Sequence, residues 1–411
     1  MTKLEKMLKY VSEHNEFYKN RIKEYGIKDP LDITQWPVLT REELQENRYN
    51  MFSDGYKTKF FSQLLKRQFS SGTSGVPINV YWDYNDYNRS LIPLWRKRME
   101  YYGIKPSHRL VKFSYYVYNT EFSDKNVLYY MESPNVLVVN RSCLQNELKY
   151  KELIDLINTF SPKWLYVQPF ILNKLLYYYK TFNLKPPTSL TYIESVGEIL
   201  SLKLRKEAEQ FFDVFLANMY GSEEMNGIAY ECPNHKMHII DDNVFLELNK
   251  CPGLVLDSEG EIIITNLNNH AMPLIRYNQA DIVNIIKPNI CCKCGNQSSQ
   301  IDIIKGRVSG SLDRKGVNIN SYLLIEIIDE VNNSLKDIIL EFRFVYIATE
   351  DVMRCFLQLQ DERLMWRNIV EKSILMGFIK KGIKDLRLEF DYLNNDLCKK
   401  NLKNVILSIE R

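Results

Sequence analysis

Residues 70–77 read Ser70-Ser71-Gly72-Thr73-Ser74-Gly75-Val76-Pro77, and this stretch decides how the chain is interpreted. It precedes a strand-like run, Asn79-Val80-Tyr81-Trp82. Its two glycines permit positive φ angles, which lets backbone N–H groups gather around an anion. Its four hydroxyl side chains donate hydrogen bonds without adding charge. The composition therefore indicates a phosphate-holding loop, with a polar surface turn as the alternative.

A Walker-type phosphate loop is excluded. That loop needs Gly-Lys-Ser/Thr ahead of a helix, and no lysine lies between Arg67 and Arg89. If the stretch at 70–77 holds phosphate, it does so in another way, and the choice between a phosphate loop and a surface turn depends on the segments that follow it.

Length and charge limit the classes to which this chain can belong. A chain of 411 residues is too long for one compact core, so we expect at least two structural units. The 54 basic and 51 acidic residues give a net charge of +3, which lacks the electrostatic footprint of nucleic-acid binding. The chain shows no apolar signal core and no apolar run near the roughly 18 residues of a membrane span. We expect a cytoplasmic protein that binds neither nucleic acid nor membrane.

Short apolar runs alternate with helical patterns between about residues 85 and 235. This alternation predicts a mostly parallel sheet flanked by helices. The strand-like runs are Arg109–Tyr116, Val136–Val139, Trp164–Val167, Thr191–Ser195 and Val214–Met219, and two of the helices are Glu147–Thr159 and Leu200–Phe212. Nearer the amino terminus, Thr40 and Glu43 form a capping-box pattern at the start of a helix.

The pattern changes twice further along the chain. Residues 236–305 are rich in strand-like segments, and the residues after them alternate again between helix and strand. We therefore predict an α/β protein in which a large amino-terminal domain of α/β sheets covers residues 1–308 and contains a β-rich part at about 220–305. A small, mobile α+β domain covers residues 309–411.

Three further segments have the residue types of a nucleotide site. The first, residues 217–224, follows a predicted strand, and ligands of open α/β sheets bind at the carboxyl ends of strands. Its amide can read a base edge, its tyrosine can stack on the base, and its carboxylates can hold Mg²⁺. The second, residues 273–281, ends in Asp281, which could accept both ribose hydroxyls. The third joins Gly306-Arg307 to residues 316–319. Each segment alone is also compatible with an ordinary turn.

In their order and spacing, the four segments resemble the adenylate-forming superfamily of acyl-CoA synthetases and adenylation domains. The chain looks most similar to the phenylacetate–CoA ligase-like branch, which includes capsule-biosynthesis ligase-like proteins. The family's Ser-Ser-Gly-Thr-Thr/Ser-Gly-x-Pro loop matches 70–77, its Tyr-Gly-x-Thr/Ser-Glu matches 220–224, and its Pro-Leu-Ile-Arg-Tyr-x-x-x-Asp matches 273–281. Its Gly-Arg-x-x-Asp hinge, with Gly-Val-Asn-Ile after it, falls on 306–319. The resemblance covers nearly the whole chain.

The resemblance implies an ATP site built from several segments. The β- and γ-phosphates would be held by Ser70, Ser71, Gly72, Thr73, Ser74 and Gly75. The adenine side would be formed by Gly197, Glu198, Asn218, Met219, Tyr220, Gly221 and Ser222. Asp281 would bind the ribose, and Arg307 would meet the ribose or phosphate side as the domains close.

The resemblance also implies catalytic and substrate-binding residues. Glu224 would ligate Mg²⁺, and Lys400 is the candidate for the family's late lysine, which meets the acyl carboxylate. A solvated lysine run is the alternative for Lys400. Tyr115, Tyr116 and Met225 are candidates to line the pocket for the acid, with packing in the core as their alternative.

Three positions depart from the family pattern. Glu223 stands where the family has threonine or serine, which places a second negative charge beside the predicted Mg²⁺ ligand. Gly310 stands at the hinge aspartate, so a side-chain latch is lost although rotation is still allowed. Strict counting from Val405 places Asn401, not Lys400, at the lysine position. Without a lysine there, we expect adenylation to be slow or absent.

The clustered cysteines predict a structural zinc site. Cys232, one histidine, Cys292 and Cys294 form a closed set of four ligands, which leaves no open position for catalysis. The short Cys-x₂-His spacing favours His235 as the histidine, whereas the resemblance favours His238. Unliganded thiols are the alternative to metal binding.

The predicted function is ATP-dependent activation of a carboxylic acid through an acyl-adenylate. The acyl group then passes to a thiol, either that of CoA or the phosphopantetheine of a carrier protein. The resemblance is compatible with an acyl carrier protein as partner and with a homodimer. Two alternatives stay open: an amine or sugar as acceptor, and a nucleotide-binding relative with weakened catalysis.

Overall fold

The computed structural model describes residues 1–69, 78–114, 127–144, 146–249, 258–286, 291–361, 363–392 and 406–410. Its helices are α1 (Lys3–His14), α2 (Glu16–Glu24), α3 (Arg41–Glu46), α4 (Tyr56–Phe61), α5 (Tyr84–Tyr102), α6 (Glu147–Phe160), α7 (Pro169–Thr181), α8 (Leu202–Phe212), α9 (Ser321–Leu335) and α10 (Leu364–Lys380). Short 3₁₀ turns occupy Ile33–Gln35, Arg141–Cys143 and Val308–Gly310.

The first ten strands are β1 (Lys66–Phe69), β2 (Asn79–Trp82), β3 (Leu110–Ser114), β4 (Tyr129–Ser133), β5 (Val136–Asn140), β6 (Trp164–Val167), β7 (Tyr192–Val196), β8 (Phe215–Ser222), β9 (Asn226–Glu231) and β10 (Met237–Ile239). The remaining strands are β11 (Val244–Asn249), β12 (Glu259–Asn266), β13 (Tyr277–Ile286), β14 (Gln300–Arg307), β15 (Ser311–Arg314), β16 (Val317–Asn320), β17 (Ile339–Ile347), β18 (Val352–Leu359), β19 (Arg387–Tyr392) and β20 (Leu407–Glu410). Each of the five strands predicted between residues 85 and 235 overlaps one of them, and α6 and α8 fall where helices are predicted. The predicted α/β fold class is confirmed.

The described chain divides into two compact units. The first contains Met1–Gly103 and Met219–Ile304, and the second contains Ile104–Asn218 and Lys305–Arg411. Residues 305–411 are therefore grouped with the parallel part of the fold. The predicted domain boundary at 308/309, and the mobility of the part after it, stay predictions. No helix among the described residues combines the length and apolar character needed to cross a membrane.

The first unit is an antiparallel sheet with helices α1 to α5. Its strand order is β11-β12-β13-β14-β10-β9, with the end of β8 beside β9. The amino-terminal helices are fixed to the segment that leads into β13, because the hydroxyl of Tyr18 donates to the carbonyl of Pro273 at 2.9 Å and accepts from the N–H of Ile275 at 3.0 Å. The capping box predicted at Thr40 and Glu43 forms at the start of α3.

The second unit contains two layers of sheet and helix. Strands β7, β6, β3 and β5 are parallel neighbours, and β4 is an antiparallel edge strand. Helices α6, α7 and α8 pack with them around one apolar core. Residues 305–411 form a second sheet of order β19-β18-β17-β20, whose core includes α9 and α10.

Charged side chains join these two parts of the second unit. Lys174 on α7 forms an ion pair with Glu341 on β17, and their side chains are only 7% and 2% exposed. Asp329 on α9 accepts hydrogen bonds from the Ser201 side chain and from the backbone N–H of Lys203, at the start of α8. The parallel layer therefore holds residues 305–411 through an ion pair and hydrogen bonds.

The partly buried carboxyl of Asp329 makes stability depend on pH. Burial raises the pKa of the Asp329 carboxyl from its ordinary value of 3.8 to about 6. Because the folded state then binds the proton more tightly than the unfolded chain, the contribution of Asp329 to stability is full below about pH 4 and is lost as pH rises through 6. We expect the melting temperature of Asp329→Asn to gain on that of the wild type between pH 4.5 and 7.5, measured by differential scanning calorimetry. If the melting temperatures of the variant and the wild type changed in parallel with pH, this account would be contradicted.

Candidate nucleotide and metal sites

The predicted adenine and ribose motifs meet inside the first unit. The hydroxyl of Tyr220, near the end of β8, donates a hydrogen bond to Asp281 Oδ2 on β13 at 2.6 Å. Both residues are buried, with exposed fractions of 9% and 8%. Because β8 and β13 are not neighbours in the strand order, the sheet bends enough to bring their side chains together. Two motifs that are 61 residues apart in sequence therefore form one polar cluster.

Close packing of two strands explains why residue 221 in the tyrosine motif is a glycine. A Cβ atom at Gly221 would lie 2.3 Å from the carbonyl oxygen of Asn226, far inside van der Waals contact. Gly221 faces Gly227 on β9, so the two backbones approach closely here. Met225, in the turn between these strands, is fully buried in the apolar core of the first unit. The structure thus places Met225, a candidate for the acid pocket, among core residues.

The adjacent glutamates of this turn have different surroundings. Glu223 Oε2 accepts a hydrogen bond from Gln68 Nε2 at 2.7 Å, and Gln68 lies on β1 just before the predicted phosphate loop. Glu224 is 4% exposed, and its backbone carbonyl accepts from Asn266 Nδ2 at 3.0 Å. Glu223, where the family has threonine or serine, therefore ties the β8–β9 turn to the stem of the loop. Glu224 is the buried carboxylate of the pair.

In the second unit, Gly197 and Glu198 follow β7 as the motif predicts. Gly197 has a φ of +76°, a conformation that favours glycine. Glu198 Oε2 accepts from the backbone N–H of Phe170 at 3.1 Å, and its Oε1 lies 3.4 Å from Nη2 of the buried Arg141. The carboxylate therefore stabilises the amino-terminal end of α7, where negative charge is favourable. A contact between Glu198 and a nucleotide stays a prediction.

The predicted hinge follows Arg307 at the end of β14. Gly306, just before it, has a φ of +112°. At Gly310, where the family has aspartate, a Cβ atom would lie 3.3 Å from the carbonyl oxygen of Leu407 on β20. Such a contact is tighter than most Cβ atoms make, so close packing against β20 gives a structural reason for the glycine.

Several predicted site residues lie outside the described residues, so their placement stays a prediction. They are Ser70, Ser71, Gly72, Thr73, Ser74, Gly75, Tyr115, Tyr116 and Lys400.

Four candidate metal ligands come together in the first unit. The sulfur atoms of Cys232, Cys292 and Cys294 and a ring nitrogen of His238 all lie within 4.8 Å of one another. Cys232 Sγ is 3.9 Å from Cys292 Sγ, and Cys294 Sγ is 3.3 Å from His238 Nε2. Around tetrahedral zinc, neighbouring sulfur and nitrogen ligands lie roughly 3.5–3.8 Å apart. The donor set and its spacing therefore fit a four-coordinate structural zinc ion.

The structure distinguishes the two candidate histidines. His235 is outside the group of four, and its side chain is 58% exposed, with Nδ1 at 3.4 Å from Glu231 Oε1. His238 is buried on β10, and this burial lowers the pKa of its imidazole. The neutral form that binds metal is thereby favoured. By geometry, His238 is the candidate ligand.

Sequence reasoning missed residues that support these two clusters. In the nucleotide cluster, Gln68 donates to Glu223 and Gln279 donates to Asp281. At the metal cluster, the hydroxyl of Tyr101 on α5 donates to Cys294 Sγ at 3.8 Å. Gln68 and Tyr101 belong to no motif, and Gln279 occupies a variable position of the 273–281 motif, so nothing in the sequence distinguishes these side chains from surface or core residues. Only the fold brings them to the sites.

The fold is that of adenylate-forming CoA ligases. A solved 2-hydroxyisobutyryl-CoA ligase in the postadenylation state matches it with a TM-score of 0.77 at 15% identity, over 100% of this chain and 88% of that one. An anthranilate CoA ligase in complex with anthranoyl-AMP matches with a TM-score of 0.57 at 13% identity, over 84% of this chain and 65% of that one. At such identities the likeness establishes the fold alone.

Among curated proteins, the chain is similar to phenylacetate–coenzyme A ligases and to a protein CapK. The phenylacetate–coenzyme A ligase of Pseudomonas putida is 25% identical over 326 residues, 76% of this chain and 70% of the relative. That of Thermus thermophilus is 24% identical over 331 residues, 77% of this chain and 71% of the relative. Protein CapK of Staphylococcus aureus is 22% identical over 288 residues, 69% of this chain and 62% of the relative. No family model matches the chain. The resemblance to the phenylacetate–CoA ligase-like branch of adenylate-forming enzymes is confirmed.

Proposed function

We propose that this chain is an AMP-forming acid–CoA ligase. It activates a carboxylic acid with ATP and passes the acyl group to the thiol of CoA. The observation that carries the proposal is the buried pair of Tyr220 and Asp281, which joins two nucleotide motifs within the fold of adenylate-forming ligases. The relatives named phenylacetate–coenzyme A ligase support the same class of reaction.

The nucleotide would be held mainly by backbone and fixed polar groups. The carboxylate of Asp281 accepts hydrogen bonds from the ribose hydroxyls, and the ring of Tyr220 lies against the base. The loop at 70–77 offers N–H and hydroxyl donors to the phosphates. The link from Gln68 to Glu223 supports this role, because it fixes the stem of that loop beside the turn that carries Glu224.

The chemistry follows in two steps. An oxygen of the substrate carboxylate attacks the α-phosphorus of ATP, the bond to the bridging oxygen breaks, and pyrophosphate leaves. The thiol of CoA, as its thiolate, then attacks the acyl carbonyl of the mixed anhydride and AMP leaves. Loop donors and Arg307 would stabilise the negative charge that spreads over the phosphates. Mg²⁺, when bound, neutralises the same charge, and the buried carboxylate of Glu224 fits it as an oxygen ligand.

Activation of the acid and the identity of the acyl acceptor can be tested in separate experiments. Carboxylate-dependent exchange of labelled pyrophosphate into ATP reports activation alone, and we expect it with at least one acid of a panel that begins with phenylacetate. Silence across the panel in protein that binds ATP would contradict the proposal. Product formation without CoA would instead favour an amine, sugar or carrier-protein acceptor. Association with a carrier protein and assembly as a homodimer stay predictions.

We also propose that Cys232, His238, Cys292 and Cys294 hold a structural zinc ion. The arrangement supports this role because four protein ligands close the coordination shell, so the ion ties the turn before β10 to the segment before β14.

Metal analysis of protein purified without chelators tests the zinc proposal. We expect about one zinc per chain, and its loss in Cys294→Ser and His238→Ala because each removes one of four ligands. Cys291→Ser and His235→Ala are matched controls that change neighbouring residues outside the group, and both should keep the metal. Zinc near zero in the wild type, or equal loss in the controls, would overturn the assignment.

A further inference from the structure

The segment of β13 that carries Asp281 is irregular. The pairing of β12 with β13 shifts register after Glu261, and Ala280 has a φ of +60°. A left-handed conformation is unfavourable for alanine, and such strain is found where the surrounding structure uses it. Bulges of this kind change the direction in which side chains project. Here Gln279 and Asp281, on either side of Ala280, both contact Tyr220.

The amide of Gln279 is bonded at both of its ends. Its Nε2 donates to Asp281 Oδ2 at 2.9 Å and to the Tyr220 hydroxyl at 3.1 Å. Its Oε1 accepts from the Ser222 hydroxyl at 3.1 Å. The carboxylate of Asp281 fixes which end of the amide faces it, since its acceptor oxygen must meet the amide N–H, and the Ser222 hydroxyl then donates to the amide oxygen. The side chain is 6% exposed, so water competes little for these bonds.

The two strands are joined by these bonds in a closed triangle. Tyr220 donates to Asp281, and Gln279 donates to both of them, so Oδ2 receives two donors at once. A carboxylate held by two donors cannot rotate freely about its terminal bond. Replacing Gln279 would therefore leave Tyr220 and Asp281 in contact but would release the carboxylate from its fixed orientation.

We propose that Gln279 is a positioning residue of the nucleotide site. Its amide fixes the Asp281 carboxylate and the Tyr220 hydroxyl in the orientation that receives the ribose of ATP. This inference rests on the proposed function, because it assigns the ribose to Asp281. Gln279 acts through Asp281 and not on the reacting atoms, so its contribution is to nucleotide recognition and not to the chemical step.

Binding of ATP and of 2′-deoxy-ATP to the intact protein tests this role, since only ATP offers the 2′-hydroxyl. Gln279→Glu keeps the length of the side chain but replaces the amide donor with a carboxylate beside Asp281. At pH 8 we expect the Kd of ATP to rise about tenfold and that of 2′-deoxy-ATP, which keeps only one of the two ribose hydroxyls, to rise about threefold, by isothermal titration calorimetry. At pH 5.5 the neighbouring charge favours protonation of the new glutamate, which can donate again, so the preference for ATP should return.

A second variant covers the case in which Gln279→Glu does not fold. Ser222→Ala removes the bond to the amide oxygen, and any contact of Ser222 with the adenine is common to both nucleotides, so we expect a smaller loss of the preference for ATP, about two- to threefold. An equal rise in Kd for both nucleotides, or a preference like that of the wild type in both variants, would overturn the role of Gln279. If the wild type itself binds the two nucleotides equally, the ribose assignment of Asp281 fails, and the proposed nucleotide site fails with it.

Discussion

Replacing Asp281 by asparagine is expected to lower kcat/KM for ATP in carboxylate-dependent pyrophosphate exchange by about a hundredfold. The carboxylate is buried and receives hydrogen bonds from Tyr220 and Gln279. A hydrogen bond from a ribose hydroxyl to a charged group contributes about 1.5–3 kcal/mol. Loss of the charge on residue 281 therefore weakens binding of the transition state by roughly one to two powers of ten. The amide nitrogen of asparagine would also face two donors, unless the side chain turns.

Asp242→Asn is the matched control for this substitution. Asp242 carries the same group, but its side chain is 53% exposed and pairs with Lys3 at 3.0 Å on the surface. We expect its kcat/KM to stay within about twofold of the wild type, because exposed ion pairs contribute little. A change of less than threefold in folded Asp281→Asn would show that Asp281 is not part of the nucleotide site.

The buried ion pair between Lys174 and Glu341 should give the largest effect on stability. Lys174→Met leaves Glu341 as an uncompensated charge that is 2% exposed, and Glu341→Leu leaves Lys174 in the same state. Breaking such a pair from one side destabilises by about 3–5 kcal/mol, whereas replacing both partners by apolar residues is close to neutral. We expect each single variant to melt well below the wild type, and the double variant to recover most of the loss.

The same three variants also test how residues 305–411 are attached to the parallel layer. Glu341 lies on β17 and Lys174 on α7, so either single change should raise proteolysis within residues 305–411 before the parallel layer is cut. Lys180→Met is a control on the same helix, since its side chain is 48% exposed and its partner Glu207 lies on α8. Additive losses in the double variant would mean that the two side chains do not stabilise each other.

Local patterns in the sequence predicted the elements that depend on local forces. The strands of the parallel layer are short apolar runs between helical patterns, and β3, β5, β6 and β7 formed where these runs lie. The capping box at Thr40 formed because its residues are three apart and need no tertiary contact. The edge strand β4 was missed, since its exposed residues show little of the alternation that marks a buried strand.

Features that depend on distant contacts could not be predicted. Motif order indicated that Tyr220 and Asp281 share a site, but it gave no sign of the bulge at Ala280, because no glycine marks the positive φ. The hydrogen bond between Glu198 and the amino-terminal end of α7 could not be predicted from the sequence either, and a contact of Glu198 with the nucleotide stays a prediction. Spacing favoured His235 and the family resemblance favoured His238, and only the fold showed that His238 lies beside the three cysteines.

The central claim, that the carboxylate attacks the α-phosphorus of ATP, is tested most directly by an isotope transfer. The acid that gives the highest rate of pyrophosphate exchange is prepared with ¹⁸O in its carboxylate and is converted with ATP and CoA, and the nucleotide product is analysed by mass spectrometry. The account predicts that AMP carries one ¹⁸O for each thioester formed, because the oxygen that attacked phosphorus leaves with AMP. Label in inorganic phosphate, with ADP as the nucleotide product, would contradict it.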